Sequence, residues 1–205
     1  MNLARESLRK SLHFTLILLP ILYCYFGKWP FLMVLSPIAA IVIGLDYLRR
    51  DRPKLNQFFI AILRPVLRDF ELGGKKLCGA SFVVLSACFV FLIFSKEIAV
   101  TAFTILVISD GLAALVGKAV VSQPFYEKSL AGAAAFAISG FAILVTCGII
   151  FDSRAWFYLF GLFALFCVTM LESRPSLLGI DDNFTIPAGF AAIMGFFDIL
   201  WNYNY

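Results

Sequence analysis

The sequence predicts an all-α integral membrane protein of about seven transmembrane helices, with one interfacial amphipathic helix and a cytoplasmic N-terminus. Three observations carry this expectation. Of the 205 residues 61% are hydrophobic and only 15% charged, with a mean hydropathy of +0.92, whereas soluble domains are nearer half apolar and a quarter charged. Apolar stretches close to the ~20 residues a bilayer requires recur along the whole chain. The basic residues, finally, gather on alternate connectors, as the positive-inside rule demands. Residues 1–205 read as a single polytopic domain, because the hydropathy leaves no room for a separate soluble one.

The spans fall at 11–27, 29–46, 77–95, 98–117, 129–150, 155–171 and 184–201. Gly27-Lys28-Trp29-Pro30 makes a tight turn between the first two, so the first is not a cleavable signal peptide. With the N-terminus inside, the inner segments hold Arg5, Arg9, Lys10, the block from Arg49 to Lys76, Lys118, Lys128 and Arg174. The outer segments hold Lys28, Lys96 and Arg154, a division of fourteen against three. The terminal "WNYNY" then forms an aromatic belt at the outer surface. The five cysteines lie in apolar stretches without metal-ligand spacing and read as small hydrophobes.

Between the second and third spans, Leu55, Phe58, Phe59, Ile62, Leu63, Val66, Leu67 and Phe70 recur at helical spacing, opposite Lys54, Gln57, Arg64 and Arg68. This predicts a helix in the interface plane over about 53–72, kinked at Pro65 and hinged at Gly73-Gly74. It is either a membrane-anchoring connector or a shelf over which a lipid substrate enters.

The fourth span contains "TILVISDGLAALVGK". A carboxylate at a helix centre costs roughly 2.5–3.5 kcal/mol on insertion scales, and intramembrane acids usually mark a polar site. Asp110 lies about two turns before Lys118, in the cytoplasmic half of its span. "SQPFYEKSLAGAAA" and "LESRPSLLGIDDNFTIP" reach the same face, bringing Glu127, Lys128, Glu172, Arg174, Asp181, Asp182 and Asn183 there.

Clustered carboxylates beside Lys and Arg, without a Cys or His set, suit Mg²⁺ and phosphates rather than zinc. Each member also has a plainer reading. Asp181-Asp182-Asn183 could be a helix N-cap, Glu172 an interfacial residue, and Lys128 a boundary marker. The Ser129–Gly132 helix start could bind an anion through its N–H groups. Gly111, Ala113, Ala114 and Gly117 allow close helix approach; their spacing is not that of a P-loop. His13, one turn into the first span, reads as an interfacial histidine.

The order "ISDGLAALVGK", "EKSLAGAAA", "LES" and "IDDNFTIP" resembles the polyprenol kinase family, which includes dolichol kinase, phytol kinase and CTP-dependent diacylglycerol kinase. "ESLRKSLHF" looks like that family's Arg-Lys-x-x-His opening and places His13 on the lipid side. The resemblance implies transfer of the γ-phosphate of CTP (or ATP) to a lipid hydroxyl, with Mg²⁺ as cofactor and no nucleic-acid partner. Asp110 would bind the metal or act as base. Glu172, Asp181 and Asp182 would hold metal, assisted by Asn183. Lys128, the Ser129–Gly132 turn, Lys118 and Arg174 would cradle the triphosphate. A phosphatidate cytidylyltransferase also fits, although its Ser-then-Pro-Lys-Arg-Thr signature is absent. An ion-coupled carrier using Asp110 is the remaining alternative. Tight loops and the absence of a transit peptide favour a bacterial inner membrane.

Overall fold

The computed structural model describes residues 3–64, 67, 71–73 and 77–204. It is an all-α bundle with one two-residue hairpin. The helices are α1 (Leu3–Thr15), α2 (Leu18–Phe26), α3 (Lys28–Leu48), α4 (Pro53–Leu63), α5 (Gly79–Ile93), α6 (Lys96–Thr104), α7 (Gly111–Ala119), α8 (Leu130–Ile150), α9 (Ala155–Glu172) and α10 (Asp182–Asn204). A π turn, Ile105–Asp110, joins α6 to α7, so 96–119 is one continuous rod of 24 residues. Strands β1 (Pro124–Phe125) and β2 (Lys128–Ser129) pair antiparallel around Tyr126, whose φ is +56°.

Among the described residues, five helices are long and apolar enough to cross a membrane: 28–48, 96–119, 130–150, 155–172 and 182–201. Gly79–Ile93 is apolar but shorter. The expected first span is α1 and α2 with a break between them. Pro20 has no N–H to offer the Leu16 carbonyl four residues back. That carbonyl takes the Leu19 N–H instead, while the Leu16 and Ile17 N–H groups reach back to His13 and Phe14 in tighter turns. Of the expected interfacial helix, α4 is present with Phe58 exposed and Phe59 half-buried. Pro65, Val66, Arg68, Phe70 and Gly74 lie outside the described residues.

The 96–119 rod is the axis of the bundle. Its apolar window is 72% buried, against 28–44% for the other four long helices, which therefore turn much of their surface outward. Around it, α8 packs along α7, α9 along α10, and α3 along α5. Tyr23, Phe31, Phe91 and Phe103 form an aromatic core linking α2, α3, α5 and α6. Where α7 meets α8, glycine permits a close approach: a Cβ on Gly117 would lie 3.4 Å from the Gly132 Cα and 2.8 Å from Ser129 Oγ.

The helix ends segregate. At one end, Lys96 Nζ donates to the Cys24 carbonyl and Ser153 Oγ to Glu97, tying three short connectors together. The opposite end carries the longer connectors and the ion pairs Lys10–Asp110, Arg49–Asp46, Lys128–Glu172 and Lys128–Asp182.

Candidate functional site

Asp110 closes the π turn on the most buried helix, so its carboxylate faces the bundle and not lipid. A π turn hydrogen-bonds i to i+5 and displaces carbonyls from the regular ladder, a pattern frequent at functional sites. Here the Leu106 carbonyl accepts from His13 Nε2 at 3.1 Å. Lys10, one turn before His13 on α1, donates to Asp110 Oδ2 at 2.9 Å and to the Asp110 carbonyl at 3.4 Å. His13 Nε2 is 3.7 Å from the same Oδ2. The break after Thr15 sets α1 at the angle that delivers both side chains.

A second group of charges stands beside the first. Lys128 Nζ, on β2, donates to Glu172 Oε1 at 2.6 Å and to Asp182 Oδ2 at 3.1 Å. The end of α9 and the start of α10 are thus pinned to the hairpin. Burial works to lower the Lys128 pKa, but Asp182, Glu172 and Asp110 outweigh it and move the ammonium above its ordinary range. The hairpin is strapped on from outside as well: the Glu127 N–H donates to the Ser173 carbonyl, Ser176 Oγ to the Glu127 carboxylate, and the Arg174 guanidinium stacks 3.4 Å over the Tyr126 ring.

A cavity of about 250 Å³ opens next to Asp110. Leu12, Leu16, Val83 and Val84 give its lining apolar surface, and Arg9, Lys10, His13, Glu71, Asp110 and Asn183 bring polar groups to it. Such a mixture of apolar lining and few converging polar groups is typical of ligand pockets.

Of the residues expected to form a site, Asp110, Lys128, Glu172, Asp182, Asn183 and His13 converge at this end of the bundle. The others have local tasks. Asp181 caps α10, its Oδ1 accepting from the Asn183 N–H at 3.0 Å and from Asn183 Nδ2 at 2.7 Å, in line with the N-cap reading. Ser129 caps α8 by accepting the Gly132 N–H at 3.2 Å. The preceding N–H groups of Leu130 and Ala131 donate to the Gln123 carbonyl and to Ser122 Oγ, so the start of α8 is internally satisfied. Lys118 is exposed in the last turn of α7, and Arg174 is the residue stacked on Tyr126.

Two features escaped the sequence reading. Lys10 is the direct partner of Asp110, and its placement one turn before His13 in "RKSLH" was the available signal. The second is a fully buried ion pair, Arg49 Nε to Asp46 Oδ1 at 2.5 Å. Asp46 Oδ2 accepts the Cys78 N–H at 2.7 Å and Ser81 Oγ at 2.6 Å, while Arg49 Nη1 donates to Asn56 Oδ1 and to the Glu71 carbonyl, both at 3.0 Å. Glu71 in turn accepts the Gly79 N–H at 2.8 Å. This network fastens α4 and residues 71–72 beneath α5, and so builds one wall of the cavity.

Among the described residues, no group of three or more His, Cys, Asp and Glu side chains is arranged to hold a metal ion. The fit to magnesium is of another kind. Glu172 is 3% exposed in its side chain, and its Oε2 is buried with no hydrogen-bond partner. Glu172 and Asp182 both lie within reach of one cationic centre. Magnesium takes one or two carboxylates and completes its shell with water and phosphate oxygens. These residues therefore suit an ion that arrives with phosphate, not one held in an all-protein cage.

No family model matches the chain, and no solved structure matches it. A curated relative is the "Uncharacterized protein RP860" of Rickettsia prowazekii (strain Madrid E), 30% identical over 193 residues that cover 90% of this chain and 91% of the relative. The chain belongs to the same family as that protein.

Proposed function

We propose that this member of the RP860 family is a membrane lipid-alcohol kinase, which transfers the γ-phosphate of CTP or ATP to the hydroxyl of a polyprenol, phytol or diacylglycerol-type lipid. The observation that carries the reading is the position of Asp110. It lines an amphiphilic cavity and acts electrostatically on Lys128, whose ammonium holds Glu172 and Asp182. A lipid alcohol has both characters, an apolar tail and one reactive oxygen, and phosphoryl transfer depends mainly on positioning and charge neutralisation.

In this reading the chain crosses the membrane seven times, with α1–α2 and α5 serving as spans beside the five long helices. The N-terminus is cytoplasmic, and the site opens at the cytoplasmic face, where soluble nucleotide is available. The basic connectors support that orientation.

The tail lies along Leu12, Leu16, Val83 and Val84, and the hydroxyl reaches Asp110. The hydroxyl oxygen attacks the γ-phosphorus, the bond to the β,γ-bridging oxygen breaks, and the nucleoside diphosphate leaves. The hydroxyl proton passes to the Asp110 carboxylate. Lys10 and His13 hold that carboxylate in place. Lys128 neutralises phosphate charge at the opposite side. Glu172 and Asp182 would hold Mg²⁺, which when bound offsets the charge of the β- and γ-phosphates. Ser129 and Gly132 act through packing: they seat β2 and the start of α8 so that Lys128 projects into the cluster.

The test uses purified protein in lipid-detergent micelles with magnesium. γ-Labelled CTP, and ATP separately, are offered with undecaprenol, phytol and diacylglycerol. Label in the lipid with wild type, and none with Asp110→Asn, is the expected result. No labelled lipid, with pyrophosphate released from CTP and phosphatidate, would instead identify a cytidylyltransferase. Solute flux into proteoliposomes without nucleotide turnover would identify a carrier.

A further inference from the structure

The carboxylates of the site outnumber the lysines that pair with them. Asp110 pairs with Lys10, and Glu172 and Asp182 share Lys128. The joint between the two halves is Lys128, whose single ammonium bridges Glu172 and Asp182 from separate helices. Glu172 Oε2, beside that bridge, is buried and receives no hydrogen bond. A buried carboxylate oxygen left without a donor carries an uncompensated desolvation penalty, which a bound cation would remove.

We propose that Glu172 and Asp182 form a latent divalent-cation site whose resident counter-ion is the Lys128 ammonium, and that cation and ammonium exchange when nucleotide arrives. The inference rests on the kinase reading for its nucleotide, but the cation site itself does not require one. The geometry gives the exchange a direction. Lys128 sits on the two-residue strand β2, at the rim, with 29% of its side chain exposed, whereas Glu172 is anchored in the last turn of α9. The lysine can swing outward to a phosphate while the carboxylates stay. One side chain would then serve in turn as a placeholder for the metal and as a phosphate ligand. Since no three such side chains among the described residues are arranged around one ion, the remaining ligands come from phosphate and water.

Manganese is the probe, because its binding is read directly by the loss of free-ion signal in electron paramagnetic resonance. Wild type, Lys128→Met and Lys128→Met/Glu172→Gln are titrated in detergent without nucleotide or lipid. Lys128→Met is expected to bind Mn²⁺ about tenfold or more tightly than wild type, and the double variant to lose that gain. Equal binding by wild type and Lys128→Met, or a gain that survives Glu172→Gln, overturns the exchange. Amine labelling of wild type followed by mass spectrometry keeps the test open if Lys128→Met does not fold. Mg²⁺ with a non-hydrolysable nucleotide should change Lys128 reactivity more than nucleotide alone, and identical labelling overturns the proposal. Lipid phosphorylation by wild type, measured separately, distinguishes that failure from failure of the kinase reading.

Discussion

At Asp110 the energetic problem posed by the sequence has a local answer. A carboxylate in an apolar span needs a partner, and it has Lys10 at 2.9 Å, both groups being largely buried. Removing one member of a buried pair strands the other charge, typically at about 3–5 kcal/mol, whereas removing both is far milder. Lys10→Met should therefore lower stability by about 3 kcal/mol, and Lys10→Met/Asp110→Asn should recover most of it, as read from denaturation midpoints in detergent. Asp110→Asn alone strands the Lys10 ammonium and should cost a similar amount, about 3 kcal/mol. If Asp110 is the base, that variant loses about 100-fold or more in lipid phosphorylation. That Asp110 had to matter was legible from its apolar surroundings. That it would pair with Lys10 was not, because the partners are 100 residues apart and meet only through the break at Leu16–Ile17.

At the scale of elements, two junctions hold the site in shape. The α7–α8 contact depends on Gly117 and Gly132: a Cβ on Gly132 would come within 3.0 Å of the Ala113 carbonyl and 3.4 Å of the Gly117 Cα. Those neighbours are backbone and cannot step aside, so Gly132→Ala should cost about 1–3 kcal/mol and shift Lys128 away from Glu172. A lower thermal midpoint would be the measured outcome, joined under the proposed kinase activity by a raised KM for nucleotide. The small-residue pattern announced this contact in the sequence. The Asp46–Arg49 pair was hidden, since two charges three residues apart at a helix end look like any interfacial pair. Their partners at Asn56, Glu71, Cys78 and Ser81 come from segments that no spacing rule connects. Arg49→Met leaves Asp46 buried without its cation and should destabilise by about 3 kcal/mol or more. Asp46→Asn added to it should restore stability, because the amide oxygen can still accept from Cys78 and Ser81. The π turn was likewise illegible: nothing in "ILVISD" separates an i+5 from an i+4 ladder.

Over the whole molecule, the alternation of basic connectors makes a prediction that the helix bundle sharpens. Short connectors at Gly27, Phe94–Ser95 and Phe151–Arg154 share one end of the bundle, and the charged connectors share the other. If the charged end is cytoplasmic, a thiol at Ser95 faces outward and one at Gln123 faces the cytoplasm; both side chains are exposed. The native background is small in a Cys24→Ser chain, because Cys78 and Cys147 are buried and Cys88 and Cys167 partly so. In that background, a membrane-impermeant maleimide should label Ser95→Cys on intact spheroplasts and leave Gln123→Cys unlabelled until the membrane is opened. Labelling of both from outside would show that the chain does not separate these connectors across the bilayer. The reverse pattern would invert the molecule, putting Lys128 and Asp110 where no cytoplasmic nucleotide can reach them. The topology, and with it the access of cytoplasmic nucleotide that the kinase reading requires, is thus tested without any substrate.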